Sequence, residues 1–429
     1  MAAVVCIALL ALLIKDTSFT GDTYILRGLS QGMSLVLGAY WFLTKSGRVK
    51  WRKYFGLLLF LFTISVGVIG ARDQFYTGLQ VASLGASCLL FTAYNESQLA
   101  RRERNQTLYK FVLLAGVVVL TVSLAATRLW PSIAYYHDSI EGITRFRGLY
   151  GQPASMGSFA GIIVGVATFS SGSWWIRVPA IVLSLLCLAM TSSRTFWVAW
   201  LAATCFMLLW LAQRKRLQVI TGLLFLLIIA GAVITAFDLR PSVKTTQGAL
   251  RSDSIGNLTG RVGVWQYAFE KFKERPLLGY GFTTGDDAFK ELSNTRTSKV
   301  AMAPDASKIS TTRYSLHNGY IQALLDSGLI GAFLYLAILS TAIIKILATH
   351  DKQMAGALYV LIFVAVANMG ESVMFSAAVF PSLLAWYFVV FGLSLQKSTS
   401  RSSDQDATPY VLPLSQSKRH LAHDPLQAT

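Results

Sequence analysis

Long apolar runs separated by short polar clusters recur along almost the whole chain. A helix needs about 20 such residues to cross a bilayer. About twelve segments approach or meet that pattern: 1–14, 25–44, 55–70, 77–94, 111–128, 158–172, 176–192, 195–212, 219–237, 320–347, 354–370 and 376–395. The pattern predicts an all-α fold, a polytopic transmembrane bundle of about 12 spans. Segment 1–14 lacks a basic leader and a small-residue cleavage site before the next run, so it reads as a retained helix.

The polar clusters set the organisation. Lys and Arg gather on the cytoplasmic side of short loops. Three basic clusters fall on one side of this frame: Lys45 to Lys53, Arg101 to Lys110, and Arg214 to Arg216. The expected order is five spans in 1–128, a first outer loop at 129–157, and four spans in 158–237. A long outer loop at 238–318, three spans in 319–395 and a disordered cytoplasmic tail at 396–429 follow. Loops as long as the second are uncommon in a compact bundle unless they carry function. Within it, Val262, Trp265, Phe269 and Phe272 recur at helical spacing, predicting an amphipathic helix from Gly260 to about Lys273 that lies at the membrane interface. Pro276 ends it, and Leu278-Gly279-Tyr280-Gly281 reads as a turn in which glycine permits close backbone approach.

Composition agrees with this frame: 54% of residues are hydrophobic and 14% charged, against roughly 25% charged in soluble domains. The net charge of +17 has a plain source in loops that meet anionic lipid headgroups. The outer loop is basic too, which favours membrane lipids or a phosphorylated substrate and argues against nucleic acid. Cys6, Cys88, Cys187 and Cys205 all lie in apolar runs without paired spacing, as packing residues do. No cofactor or metal is expected; the adjacent pair Asp286-Asp287 reads as a cap on its own turn.

Candidate chemistry sits on the outer side. Arg194, in Thr191-Ser192-Ser193-Arg194-Thr195, stands between two spans, where an arginine either faces a cavity or snorkels to the headgroups. Arg145 and Arg147 flank Phe146 before the sixth span, and either bind phosphate or anchor to lipid. Arg261 opens the amphipathic helix, where free amides and the helix dipole add to its charge. His317, one of five histidines, precedes a span with Asn318 beside it to orient the ring. Imidazole is the side chain best placed to take a hydroxyl proton near neutrality. Glu371 interrupts the outer end of the eleventh span; it either pairs with an arginine such as Arg194 or is a solvated turn residue.

The order RFRGLYGQP, TSSRT, GRVGVW with PLLGYGF, then LHNGY with LLDSGLIG, resembles the O-antigen ligase and O-antigen polymerase superfamily of bacterial membrane glycosyltransferases. The motifs cover roughly residues 140–335 in a fixed order. One departure is Ala154 after Pro153, where an Asn is common in that superfamily. The resemblance implies a GT-C-like enzyme of the bacterial inner membrane, multi-pass, with its active site facing the periplasm. It implies metal-independent transfer of a glycan from undecaprenyl diphosphate to a sugar hydroxyl. Arg194 and Arg261, with Arg145 or Arg147, would hold the diphosphate. His317 would act on the acceptor hydroxyl, and Asn318 and Tyr320 would shape the site. The acceptor is lipid A-core for a ligase or a growing glycan for a polymerase. The rival class, a polysaccharide or lipid-linked oligosaccharide transporter, predicts internal repeats and charges deep in spans; neither is evident.

Overall fold

A computed structural model of the chain describes residues 24–45, 49–71, 73–96, 101–138, 143–211, 261–283, 316–375 and 379–395. Where no water reaches the backbone, a helix satisfies its own amides and carbonyls, and apolar runs fold accordingly. The helices are α1 (Tyr24–Lys45), α2 (Phe55–Gly67), α3 (Gln74–Asn95), α4 (Arg101–Leu129), a single turn α5 (Pro131–Ala134), α6 (Pro153–Phe169), α7 (Trp174–Met190), α8 (Arg194–Leu211), α9 (Arg261–Glu274), α10 (Gly319–Thr349), α11 (Ala355–Ala367) and α12 (Phe380–Ser394). Short 3-10 turns extend α2 at both ends into one rod, Trp51–Gly70.

Among the described residues, five helical stretches are long and apolar enough to cross a membrane: Trp51–Gly70, Gln74–Asn95, Asn105–Leu129, Arg194–Leu211 and Gly319–Thr349. Leu35–Thr44, Pro153–Phe169, Trp174–Met190, Lys352–Ala367 and Phe380–Ser394 are apolar but shorter. Segments 1–14 and 219–237, much of the 238–318 connection, Asp286-Asp287, Cys6 and the 396–429 tail lie outside the described residues. Cys88, Cys187 and Cys205 are free thiols, Cys88 and Cys187 buried among apolar neighbours.

One element departs from the all-α expectation. Tyr135–Asp138 (β1) and Ile143–Phe146 (β2) pair antiparallel, with Tyr136 opposite Arg145. Tyr135 faces Phe146 across the pair with ring centroids 6.1 Å apart, and four-residue strands are too short to show a period of two beside the spans.

Small residues fix the helix contacts, as they do where backbones approach closely in membrane bundles. Gly157, Gly161 and Gly165 line one face of α6; a Cβ there would strike the rings of Phe196, Phe363 and Tyr359 respectively. Thus α6 packs on α8 and runs antiparallel to α11, whose end leads into Asn368. Tyr359 donates to the Gly161 carbonyl at 3.0 Å.

The longest helix is broken. At Gly328, φ is 65° and ψ is −169°, so the helical ladder lapses and frees backbone groups on both sides. The segment after α9 repairs it: Tyr280 N donates to Leu325 O (2.9 Å) and Gly281 N to Asp326 O (2.9 Å), while Leu329 N donates to Pro276 O (2.8 Å) and Ile330 N to Leu277 O (3.4 Å). Gly279, at φ 69°, lies so close that a Cβ would sit 2.5 Å from Leu325 O; one at Gly328 would sit 2.2 Å from Leu277 O. The turn expected at Leu278 to Gly281 is therefore a backbone splint. Asp326 is buried within it, accepting from Thr283 N (3.0 Å) and Gln322 Nε2 (2.8 Å).

Candidate functional site

The segment Leu316-His317-Asn318 is held from three directions. Asn318 caps α10: its Oδ1 accepts from Tyr320 N (3.0 Å) and Ile321 N (3.1 Å), satisfying amides that a helix start leaves open. Its Nδ2 donates to Met369 O at 3.1 Å. Gly319 N donates to Asn368 O at 2.7 Å. The buried Asn368 side chain donates to the Tyr335 hydroxyl (2.7 Å) and accepts from Val373 N (2.9 Å). The turn after α11 is thereby fastened across the start of α10.

That fastening delivers Glu371 to His317. The carboxylate Oε2 lies 2.9 Å from imidazole Nδ1, with the two side chains 12% and 40% exposed. Glu371 thus meets the histidine, where the sequence reading offered Arg194 or solvent. It, and not Asn318, orients the ring, because both ends of the Asn318 amide are committed to backbone. A carboxylate accepting at Nδ1 selects the tautomer with its hydrogen there, and so puts the basic lone pair of the neutral ring on Nε2. His317 itself has φ 47°, a left-handed conformation uncommon for a residue with a Cβ that persists where the surroundings enforce it.

Two further motifs reach this place. Thr195, in the first turn of α8, is packed against Gly370, where a Cβ would stand 2.7 Å from its Oγ1. The exposed Arg194 is therefore next to a residue that abuts the neighbour of Glu371. From α9, Trp265 Nε1 donates to Leu316 O at 2.8 Å, and Ala268 packs with Leu316 and Leu325. Residue 261 opens that helix one turn before Trp265; its side chain lies outside the described set.

The base of α9 is clamped. The Tyr280 hydroxyl donates to Glu274 Oε2 (2.7 Å) and Lys271 O (3.1 Å). Burial and then the Glu274 carboxylate push the Tyr280 phenol up to about 12. The hydrogen bond from Tyr280, followed by Lys271, holds Glu274 below the usual carboxylate range. Arg275 lies 4.8 Å over the Tyr280 ring and donates to the carbonyl of Gly70, closing the end of the Trp51–Gly70 rod.

Other predicted residues take structural posts. Arg147 spends its guanidinium on the carbonyls of Ile133 (2.8 Å), Ser132 (3.1 Å) and Gly151 (3.4 Å), tying α5 to the turn after β2. Arg145 stays on the hairpin strand. The Tyr320 hydroxyl donates to Ala365 O at 2.6 Å, facing α11. Sequence reasoning missed Asn368, Asp326 and Gly328; a lone Asp-Ser-Gly inside an apolar run was the available signal for the last two. Among the described residues, no three His, Cys, Asp or Glu side chains cluster as a metal-ligand set.

Residues 179–336, from within α7 to within α10, match the family model described as O-antigen ligase. The match takes in Arg194, Arg261 and His317. The resemblance to the O-antigen ligase and O-antigen polymerase superfamily is thereby shown. Among curated proteins, the chain is similar to the exopolysaccharide production protein ExoQ of Rhizobium meliloti (strain 1021), 25% identical over 267 residues. The alignment covers 58% of this chain and 57% of that relative, so the chain spans little more than half the relative's length.

Proposed function

We propose that this chain is a glycosyltransferase that moves a glycan from a polyprenyl diphosphate to an acceptor hydroxyl, in the manner of an O-antigen ligase, at the outer face of a bacterial inner membrane. The observation that carries the reading is the His317–Glu371 pair, set where the start of α10 is fastened to the turn after α11, with Trp265 of α9 bonded to Leu316 and Thr195 of α8 packed on Gly370. The acceptor hydroxyl gives its proton to His317 Nε2 as its oxygen attacks the anomeric carbon. The bond from that carbon to the phosphate oxygen breaks, and the electron pair leaves with the polyprenyl diphosphate. Negative charge grows on that leaving oxygen, where Arg194 and Arg261 supply preorganised cations. Arginine suits the task because it stays charged and offers a planar fork to phosphate oxygens. No metal is required by this scheme. Arg145, Asn318 and Tyr320 frame the site, Arg147 braces its hairpin, and Glu371 holds the base.

The test is transfer in reconstituted vesicles loaded with undecaprenyl-diphosphate glycan and lipid A-core. His317→Ala and Arg261→Ala should each abolish product while inserting normally. Retained turnover in both defeats the assignment. The likeness to ExoQ favours a second reading, polymerisation of a surface polysaccharide. Ladder growth without lipid A-core selects polymerase, and strict dependence on it selects ligase.

A further inference from the structure

A cavity lies at the far end of α6. Because Gly161 meets Phe363 and Gly165 meets Tyr359, the carboxyl end of α6 points away from the Asn368–Glu371 turn. Its 17 residues carry it about 25 Å. There the Ser170 to Ser173 turn, the start of α7 and the side of α4 enclose a cavity of about 330 Å³, lined by Gln106, Lys110, Leu113, Ser171, Ser173 and Ile176. Lys110 is exposed, and among the described residues no ion pair or hydrogen bond engages its ammonium. Ser173, the N-cap of α7, makes no side-chain hydrogen bond to the first-turn amides, so that turn keeps donors for an anion. Ser170, in the same turn, has its hydroxyl buried without a hydrogen-bond partner among the described residues. Acidic groups on that side include Glu103, two turns before Lys110 on α4, and Asp351, whose charge reaches Tyr109.

The outward faces of α4 and α7 beside the cavity are apolar. Lys110, Leu114 and Val118 follow one another at four-residue spacing on α4, as do Trp174, Val178, Val182 and Leu186 on α7, which places each set on one helix face. Leu114, Val118, Val178, Val182 and Leu186 are all exposed, and α4 packs on α7. Trp174 and Trp175, also exposed, stack at 3.8 Å beside the cavity, in the manner of aromatics at a bilayer boundary. A cation and free amides at one end, with two hydrocarbon-facing rails leading away, match the chemistry of a phosphate headgroup carrying acyl chains.

We infer that this cavity is a binding site for one anionic phospholipid, with its phosphate at Lys110 and the α7 amino end and its chains along the α4 and α7 rails. The site is separate from His317 and independent of the transfer chemistry. The test uses the purified, delipidated full chain in mild detergent, with lipid binding followed by native mass spectrometry. The wild type should retain one phosphatidylglycerol in preference to phosphatidylcholine. Lys110→Gln should weaken that retention about tenfold, and Ser171→Trp, which fills the cavity, should do the same. His317→Ala should bind as the wild type does. Equal retention of the two lipids, or unchanged retention in both cavity variants, overturns the proposal. Stabilisation by inorganic phosphate alone that matches phosphatidylglycerol makes the site one for a soluble anion and likewise overturns it.

Discussion

At the scale of single residues, the pairing of Glu371 with His317 makes the strongest demand. Acid–base groups contribute about 10² to 10⁴ in rate, and in the proposed mechanism the carboxylate acts through the ring it touches. Glu371→Gln should therefore lower kcat by about a hundredfold with little change in KM. In a His317→Ala background the same substitution should cost nothing further, since residues acting as a unit are not additive. Steady-state kinetics of the two single variants and the double variant settle this. Asn318→Ala removes a helix cap worth roughly 1 kcal/mol and the tie to Met369; its melting temperature should fall, and Asn318→Asp should recover the cap. His317 was conspicuous in the sequence as a histidine in a polar stretch before an apolar run. Its partner was not, because 54 residues separate them and only the packing of α10 on the turn after α11 brings them together.

At the scale of elements, the amphipathic period announced α9 within a residue of its observed limits. The fixed order of motifs also acquires a physical meaning. PLLGYGF and LLDSGLIG are two halves of one backbone ladder, read in sequence as a turn and a span. A lone glycine in an apolar run looks like span interior, so the break in α10 was invisible until the opposing strand of the splint was in place. Alanine at either Gly279 or Gly328 would force a positive φ and a backbone collision. Each should destabilise the protein by at least about 1–3 kcal/mol, the usual cost of such strain. Gly151→Ala, with open space around it, should be near neutral. Thermal unfolding of the three variants in one detergent provides the comparison. The hairpin of β1 and β2 escaped notice for a different reason: four-residue strands carry too few alternations to compete with neighbouring spans.

At the scale of the whole molecule, five helices among the described residues meet the length and composition needed for crossing. Several of the apolar runs, such as α7, fold into 17-residue helices of about 25 Å, somewhat short of a hydrocarbon core of about 30 Å. If α7 nevertheless crosses, single cysteines at Ser171 and Ser193 in a cysteine-free background should react with an impermeant thiol reagent from opposite sides of a sealed vesicle. Labelling from one side would remove α7 from the set of spans. The splint across Gly328 also carries a temporal implication. Translation reaches Pro276 before Leu325, so the mending strand has already been made when the interrupted helix arrives, and the several kcal/mol that each bare amide would cost in hydrocarbon need never be met. A gene rearranged so that the 261–283 segment is translated after α10 would hand the membrane an unfinished rod, and its yield of correctly inserted product should drop.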